Sequence, residues 1–81
     1  MFYIYILQSS KDGRTYVGYT NNINSRLKLH NSGRVKATKY RAPLKLLFSE
    51  EFQAEWEAKK RESWWKSGAG RRKLKEYFIK K

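Results

Sequence analysis

Two runs rich in Tyr, Ile, Val and Thr, FYIYILQ at residues 2 to 8 and RTYVGYT at 14 to 20, are separated by an Asp12-Gly13 pair. Asp-Gly between such runs is a strong hairpin signal, because glycine takes the left-handed backbone of a tight turn without steric cost. The spacing predicts two antiparallel strands. If Asp12-Gly13 is a two-residue turn, Lys11 faces Arg14, odd positions of the first strand pair with even positions of the second, and Tyr5 and Tyr16 share one face of the sheet. Four tyrosines, Tyr3, Tyr5, Tyr16 and Tyr19, lie on this hairpin. For any single tyrosine in a strand, packing is the usual use.

After the hairpin, Asn21 or Asn22 can cap a helix of about three turns that carries Ile23 and Leu27 on one face and ends at Gly33. Arg26 and His30 lie one turn apart and flank that apolar face, so both are aimed toward the sheet. The segment GRVKATKYRAP reads as a basic loop with no clear pattern. Leu44, Leu46 and Phe48 alternate as if on one face of a third strand, LKLLFSEEF, which Pro43 opens. Residues 54 to 67 favour a helix, which Gly68 and Gly70 interrupt. A last helix over roughly 71 to 80 puts Leu74, Tyr77 and Phe78 on one stripe. The order β-β-α-β-α-α predicts an α+β fold, a small three-stranded antiparallel sheet flanked by helices, as one domain over 1–81.

On a helical wheel Glu62 falls inside or beside the arc of Ala54, Ala58 and Trp65. A carboxylate on a packed face is costly unless it is paired or binds a cation. Two readings stay open, a salt bridge to Lys59, Lys66 or Arg26, and a metal site. Glu50 and Glu51, at the end of the third strand, are rivals for the latter.

Charge narrows the partners. Nineteen Lys and Arg against seven Asp and Glu give +12, which repels itself and suits a polyanion such as nucleic acid. No stretch approaches the ~18 apolar residues of a spanning helix, and FYIYIL is too short and unflanked for a signal peptide, so no membrane role and a cytoplasmic location are expected. The absence of cysteine agrees and removes disulfides and thiolate chemistry. One histidine rules out a multi-histidine metal site. No protein partner is implied.

Taken together, Tyr3-Ile4-Tyr5, then Tyr16-Val17-Gly18, then Arg26 and His30 four apart, then a helix bearing Glu62, resemble the GIY-YIG nuclease domain in its minimal stand-alone bacterial form. HNSGRVKATKYRAPLKLLFSEEF and the KSG..GR ending extend the resemblance over nearly the whole chain. Tyr3 stands where the first motif has glycine, and Val17 where the second has isoleucine. The resemblance implies a metal-dependent endonuclease that hydrolyses DNA phosphodiester bonds in repair or processing. It implies Tyr5 as general base, Tyr16 orienting phosphate or water, Arg26 clamping the phosphate, His30 drawing the proton from Tyr5, and Glu62 holding one divalent ion, Mg²⁺. A tyrosine pKa near 10 leaves only ~0.1% phenolate at pH 7, a cost that Arg26, lysines and metal are expected to offset. Arg34, Lys36, Lys39 and Arg41 of the basic loop, with Arg71 and Arg72 of the last helix, are expected to grip the DNA backbone. Two other readings are a catalytically weak or inactive nucleic-acid-binding module of the same fold, and an RNA-binding protein that stacks bases on Trp56, Trp64 or Trp65.

Overall fold

The computed structural model describes residues 1–79 and, for side chains, residues 1–77. Strands β1 (Phe2–Ser9), β2 (Thr15–Thr20) and β3 (Leu44–Phe52) form one antiparallel sheet in the order β2-β1-β3. Helix α1 (Ile23–Asn31) follows β2, a single 3₁₀ turn (Lys36–Thr38) lies within the basic segment, and α2 (Glu55–Lys66) and α3 (Gly68–Leu74) follow β3. This is the expected α+β architecture and element order.

β1 is central, which explains its continuous apolar run. Ile4, Tyr5, Ile6 and Leu7 are all buried because both faces of this strand are covered. Ile4, Ile6 and Val17 pack against Ala58, Trp65 and Leu74 of α2 and α3. Tyr5 and Leu7 pack with Leu44, Tyr16 and Leu27 of α1 on the other face.

The hairpin turn is longer than the two residues expected. Ser9 pairs with Arg14 through its N–H and the Arg14 carbonyl (2.9 Å), and Lys11 does not face Arg14. The Ser9 hydroxyl accepts from the N–H groups of Lys11 (3.0 Å) and Asp12 (3.2 Å), and Gly13 takes a φ of 75°. A side-chain acceptor inside the turn thus stabilises a wider loop. The loop grew by an even number of residues, so odd still pairs with even: Tyr5 lies opposite Gly18, and Leu7 opposite Tyr16. Tyr5 and Tyr16 therefore do share a face.

The expected alternation of Leu44, Leu46 and Phe48 on one face is corrected by a β-bulge. Phe48 pairs with Ile6 but Leu46 pairs with Leu7, leaving Leu47 as the extra residue. Because side chains alternate along a strand, one inserted residue moves Phe48 to the α2 face while Leu44 stays with Tyr5.

Asn22 caps α1, its side chain accepting from Ser25 N–H at 3.0 Å, and Gly33, at φ 80°, follows the helix end. Glu57 accepts from the Ala54 N–H at 3.1 Å and so closes the start of α2. The final helix begins at Gly68 rather than near 71, because Ser67 ends α2 and caps α3. Gly70 is buried where an added Cβ would overlap the Trp64 carbonyl and Trp65 backbone, so α3 can turn closely against α2. α3 gives way to a wider, π-type turn (Lys75–Ile79). Leu74 is buried but Tyr77 is exposed, so the expected stripe does not pack throughout. Residue 80 and the Phe78 side chain lie outside the described residues.

Candidate active site

Tyr5 and His30 meet in the interior between the sheet and α1. Tyr5 Oη lies 3.0 Å from His30 Nε2, and both side chains are almost wholly buried. On its other side, His30 Nδ1 lies 2.8 Å from Thr38 Oγ1, also buried. Tyr16 completes an aromatic trio, its ring centroid 6.3 Å from that of Tyr5 and 4.9 Å from that of His30. Gly18, opposite Tyr5, is the residue that makes room for the phenol: a Cβ there would stand 2.5 Å from Tyr5 Oη.

Electrostatics follow from burial. Desolvation pushes the Tyr5 hydroxyl above its ordinary 10.0; the Arg26 guanidinium beside it pulls the other way, and the charges of Tyr16 and Glu62 add to the rise. Burial outweighs Arg26 in this arrangement, and Tyr5 rests as a phenol. Burial, followed by the charge of Arg26, holds His30 below its ordinary 6.5, so the imidazole is neutral near pH 7.

Arg26 stands half-buried on α1, and its Nε is buried without a hydrogen-bond partner among the described residues. An unpaired buried donor costs on the order of 1–3 kcal/mol.

Glu62 belongs to α2, yet its charge acts on Tyr5, so this carboxylate reaches the same region. It is mostly shielded and pairs with Lys66, one turn on, at 3.1 Å; Lys66 in turn sits 5.9 Å from the Tyr16 ring centre. Among the described residues no three His, Asp or Glu side chains converge on a metal position. The donor set fits Mg²⁺ all the same, because that ion commonly takes one or two carboxylates and keeps water and phosphate in its remaining positions. Of the rivals, Glu50 is committed elsewhere: it accepts from Arg61 Nε (2.9 Å), Arg61 Nη2 (3.2 Å) and Trp65 Nε1 (3.1 Å).

A family model, the GIY-YIG catalytic domain, matches residues 1–75. The chain belongs to the GIY-YIG family. Members of this family are generally nucleases. The chain is 46% identical over 78 residues to a UPF0213 protein of Bacillus licheniformis, covering 95% of this chain and 77% of that one. It is 42% identical over 73 residues to a UPF0213 protein of Streptococcus agalactiae, covering 89% and 82%. The solution NMR structure of a UPF0213 protein from Bacillus halodurans superposes with a TM-score of 0.54 at 36% identity, over 91% of this chain and 82% of that one.

The cations singled out in this GIY-YIG chain divide by position. Arg34, Lys36 and Lys39 are exposed around the 3₁₀ turn, while Arg41 is half-buried, 3.9 Å from Asp12. Arg71 lines a cleft of about 320 Å³ with Tyr16, Trp65 and Lys66, and Arg72 is exposed beside it in sequence. The tryptophans offer no common stacking face: Trp65 is buried, whereas Trp64 packs edge-on against it and lies under Arg61, 4.3 Å from ring centre to guanidinium. Only Trp56 is largely exposed, at 65%.

Sequence reasoning missed Thr38. It stands between Lys36 and Lys39 in the basic segment, where an isolated threonine carries no signal for a partner eight residues back. Asn31 was missed as well. Its amide grips both the N–H (2.6 Å) and the carbonyl (2.9 Å) of Leu44, fastening the end of α1 to the start of β3.

Proposed function

We propose that this protein is a metal-dependent endonuclease that hydrolyses phosphodiester bonds in DNA, in repair or processing, in the cytoplasm. The observation that carries the proposal is the buried Tyr5–His30 pair beside an Arg26 whose Nε lacks an acceptor among the described residues. A purely electrostatic binding surface has no need of either.

In this reading Arg26 and Tyr16 hold the scissile phosphate, Arg26 through a forked guanidinium suited to a phosphate edge. Tyr5 Oη takes a proton from the attacking water as its own proton passes to His30 Nε2. This transfer to a neutral imidazole is what lets a phenol of raised pKa act as a base. Glu62 would hold Mg²⁺, which when bound supplies positive charge against the developing negative charge of the phosphate. Lys66 must then release Glu62, and the nearby Tyr16 ring gives its ammonium an alternative resting place. Arg34, Lys36, Lys39 and Arg41, with Arg71 and Arg72, grip the backbone, and the duplex is held without sequence readout.

The Glu62–Lys66 ion pair favours the second reading, a binding module with little or no catalysis, because it satisfies the carboxylate without a metal. Incubating the purified protein with supercoiled, single-stranded and branched DNA in Mg²⁺, Mn²⁺ or EDTA separates the two. Metal-dependent nicking that EDTA abolishes is expected. Binding without cleavage in either metal would return the protein to the binding-module reading.

A further inference from the structure

We propose that Thr38 is a positioning residue for the Tyr5–His30 pair: its hydroxyl accepts the Nδ1 proton of His30 and so supports the tautomer that the buried phenol requires, whose Nε2 is open to the phenol proton. The catalytic consequence rests on the nuclease reading above; the choice of tautomer does not.

Tyr5 Oη carries a hydrogen that must be donated to some acceptor, since an unmade hydrogen bond in the interior is costly. Arg26, beside it, has donors only. Among the described residues the acceptor within reach is His30 Nε2, at 3.0 Å. Nε2 must then be unprotonated, and a neutral imidazole has its hydrogen on Nδ1, which points at Thr38 Oγ1, 2.8 Å away. The opposite arrangement, with Thr38 donating to Nδ1, would place a hydrogen on Nε2 facing the phenol oxygen and strand the phenol hydrogen.

Thr38 is also held where this task requires it. It is fully buried although the flanking Lys36 and Lys39 are exposed. Its N–H donates to the Val35 carbonyl at 3.0 Å, its carbonyl accepts from Arg41 N–H at 2.9 Å, and the Ser9 hydroxyl donates to the Arg41 carbonyl at 2.6 Å. The loop that carries the phosphate-gripping cations in our reading thus also delivers the hydroxyl that supports the proton acceptor.

The test compares Thr38→Val, which keeps shape and loses the hydroxyl, with Thr38→Ser, which keeps the hydroxyl. In wild type, ¹⁵N NMR of the imidazole near neutral pH should show a protonated Nδ1 and an unprotonated Nε2. Thr38→Val should move both nitrogens toward an averaged mixture of tautomers, and Thr38→Ser should restore the wild-type pattern. In metal-supported DNA cleavage, Thr38→Val should lower kcat about 10- to 100-fold with KM for DNA little changed, and Thr38→Ser should recover most of it. A wild-type protein with the proton on Nε2, or a Thr38→Val protein with unaltered nitrogen shifts, would overturn the tautomer assignment. A folded Thr38→Val protein with wild-type kcat would overturn the catalytic role. If Thr38→Val does not fold, the wild-type nitrogen shifts and the Thr38→Ser pattern still decide the tautomer. If wild type itself cleaves no DNA, the nuclease reading fails and the nitrogen shifts still stand or fall alone.

Discussion

Tyr5 belongs at once to the apolar core and to a buried polar pair. Its ring is part of the cluster with Leu7 and Leu44, while its oxygen meets His30. Tyr5→Phe keeps the ring and removes the oxygen, leaving buried His30 Nε2 without its partner, so it should cost about 1–3 kcal/mol of stability while lowering cleavage on the order of 100-fold or more under conditions where chemistry limits the rate. Equal single-turnover rates for the two proteins would remove Tyr5 from the mechanism. Glu62→Gln deletes one negative charge, raising the net charge from +12 to +13. Cleavage should disappear, and DNA affinity in EDTA should hold or tighten slightly. If the Glu62–Lys66 ion pair is all that Glu62 provides, the mutant will instead lose some thermal stability and its folded fraction will cleave normally. His30 adds a pH signature. Its folded pKa lies below the unfolded 6.5, so the unfolded state binds a proton first on acidification. The stability His30 contributes is fully present above about pH 6.5 and is lost as pH falls through that value toward the folded pKa. Thermal midpoints from about pH 7.5 to 5.5 should fall in wild type and fall less in His30→Gln; parallel profiles would show that His30 is not held neutral.

At the scale of elements, the corner between α2 and α3 depends on a missing side chain. Gly70 is buried against the backbone of Trp64 and Trp65, and backbone cannot step aside as the end of a flexible side chain can. Gly70→Ala should therefore destabilise the fold by about 3 kcal/mol, through overpacking of the helix corner. Gly68→Ala is the control, since an added Cβ there meets nothing within 4 Å. Similar denaturation midpoints for the two would mean that α3 moves away from α2 at little cost. The elements differ in how legible they were. Asn22 and Gly33 mark α1 because capping and left-handed backbone are local demands that local residues meet. The bulge at Leu47 left no such mark: Leu44, Leu46 and Phe48 alternate in sequence, and only pairing with β1 shows that one residue is extra.

For the molecule as a whole, the charge of +12 sets how it meets a polyanion. If the loop around the 3₁₀ turn and the start of α3 together neutralise roughly five phosphates, log affinity for duplex DNA should fall with log salt with a slope of about −4 to −5. Duplexes of unrelated sequence should bind alike when measured in EDTA. A slope near zero, or strong preference for one sequence, would show that the grip is not a nonspecific electrostatic one.

The sequence by itself determined the strands, the helices, their order and the shared face of Tyr5 and Tyr16. Those follow from periodicity, capping residues and the parity of a hairpin, all of which act over a few residues. Even the miscounted turn left parity intact, because Ser9 widened the loop by an even number. What the tertiary structure alone decided was environment. Burial raises the Tyr5 pKa and lowers that of His30, Thr38 closes on His30 from the basic segment, and Glu62 comes to rest on Lys66 rather than on Lys59 or Arg26. Desolvation and long-range hydrogen bonds depend on which atoms the packed chain removes from water, and no short stretch of sequence carries that information.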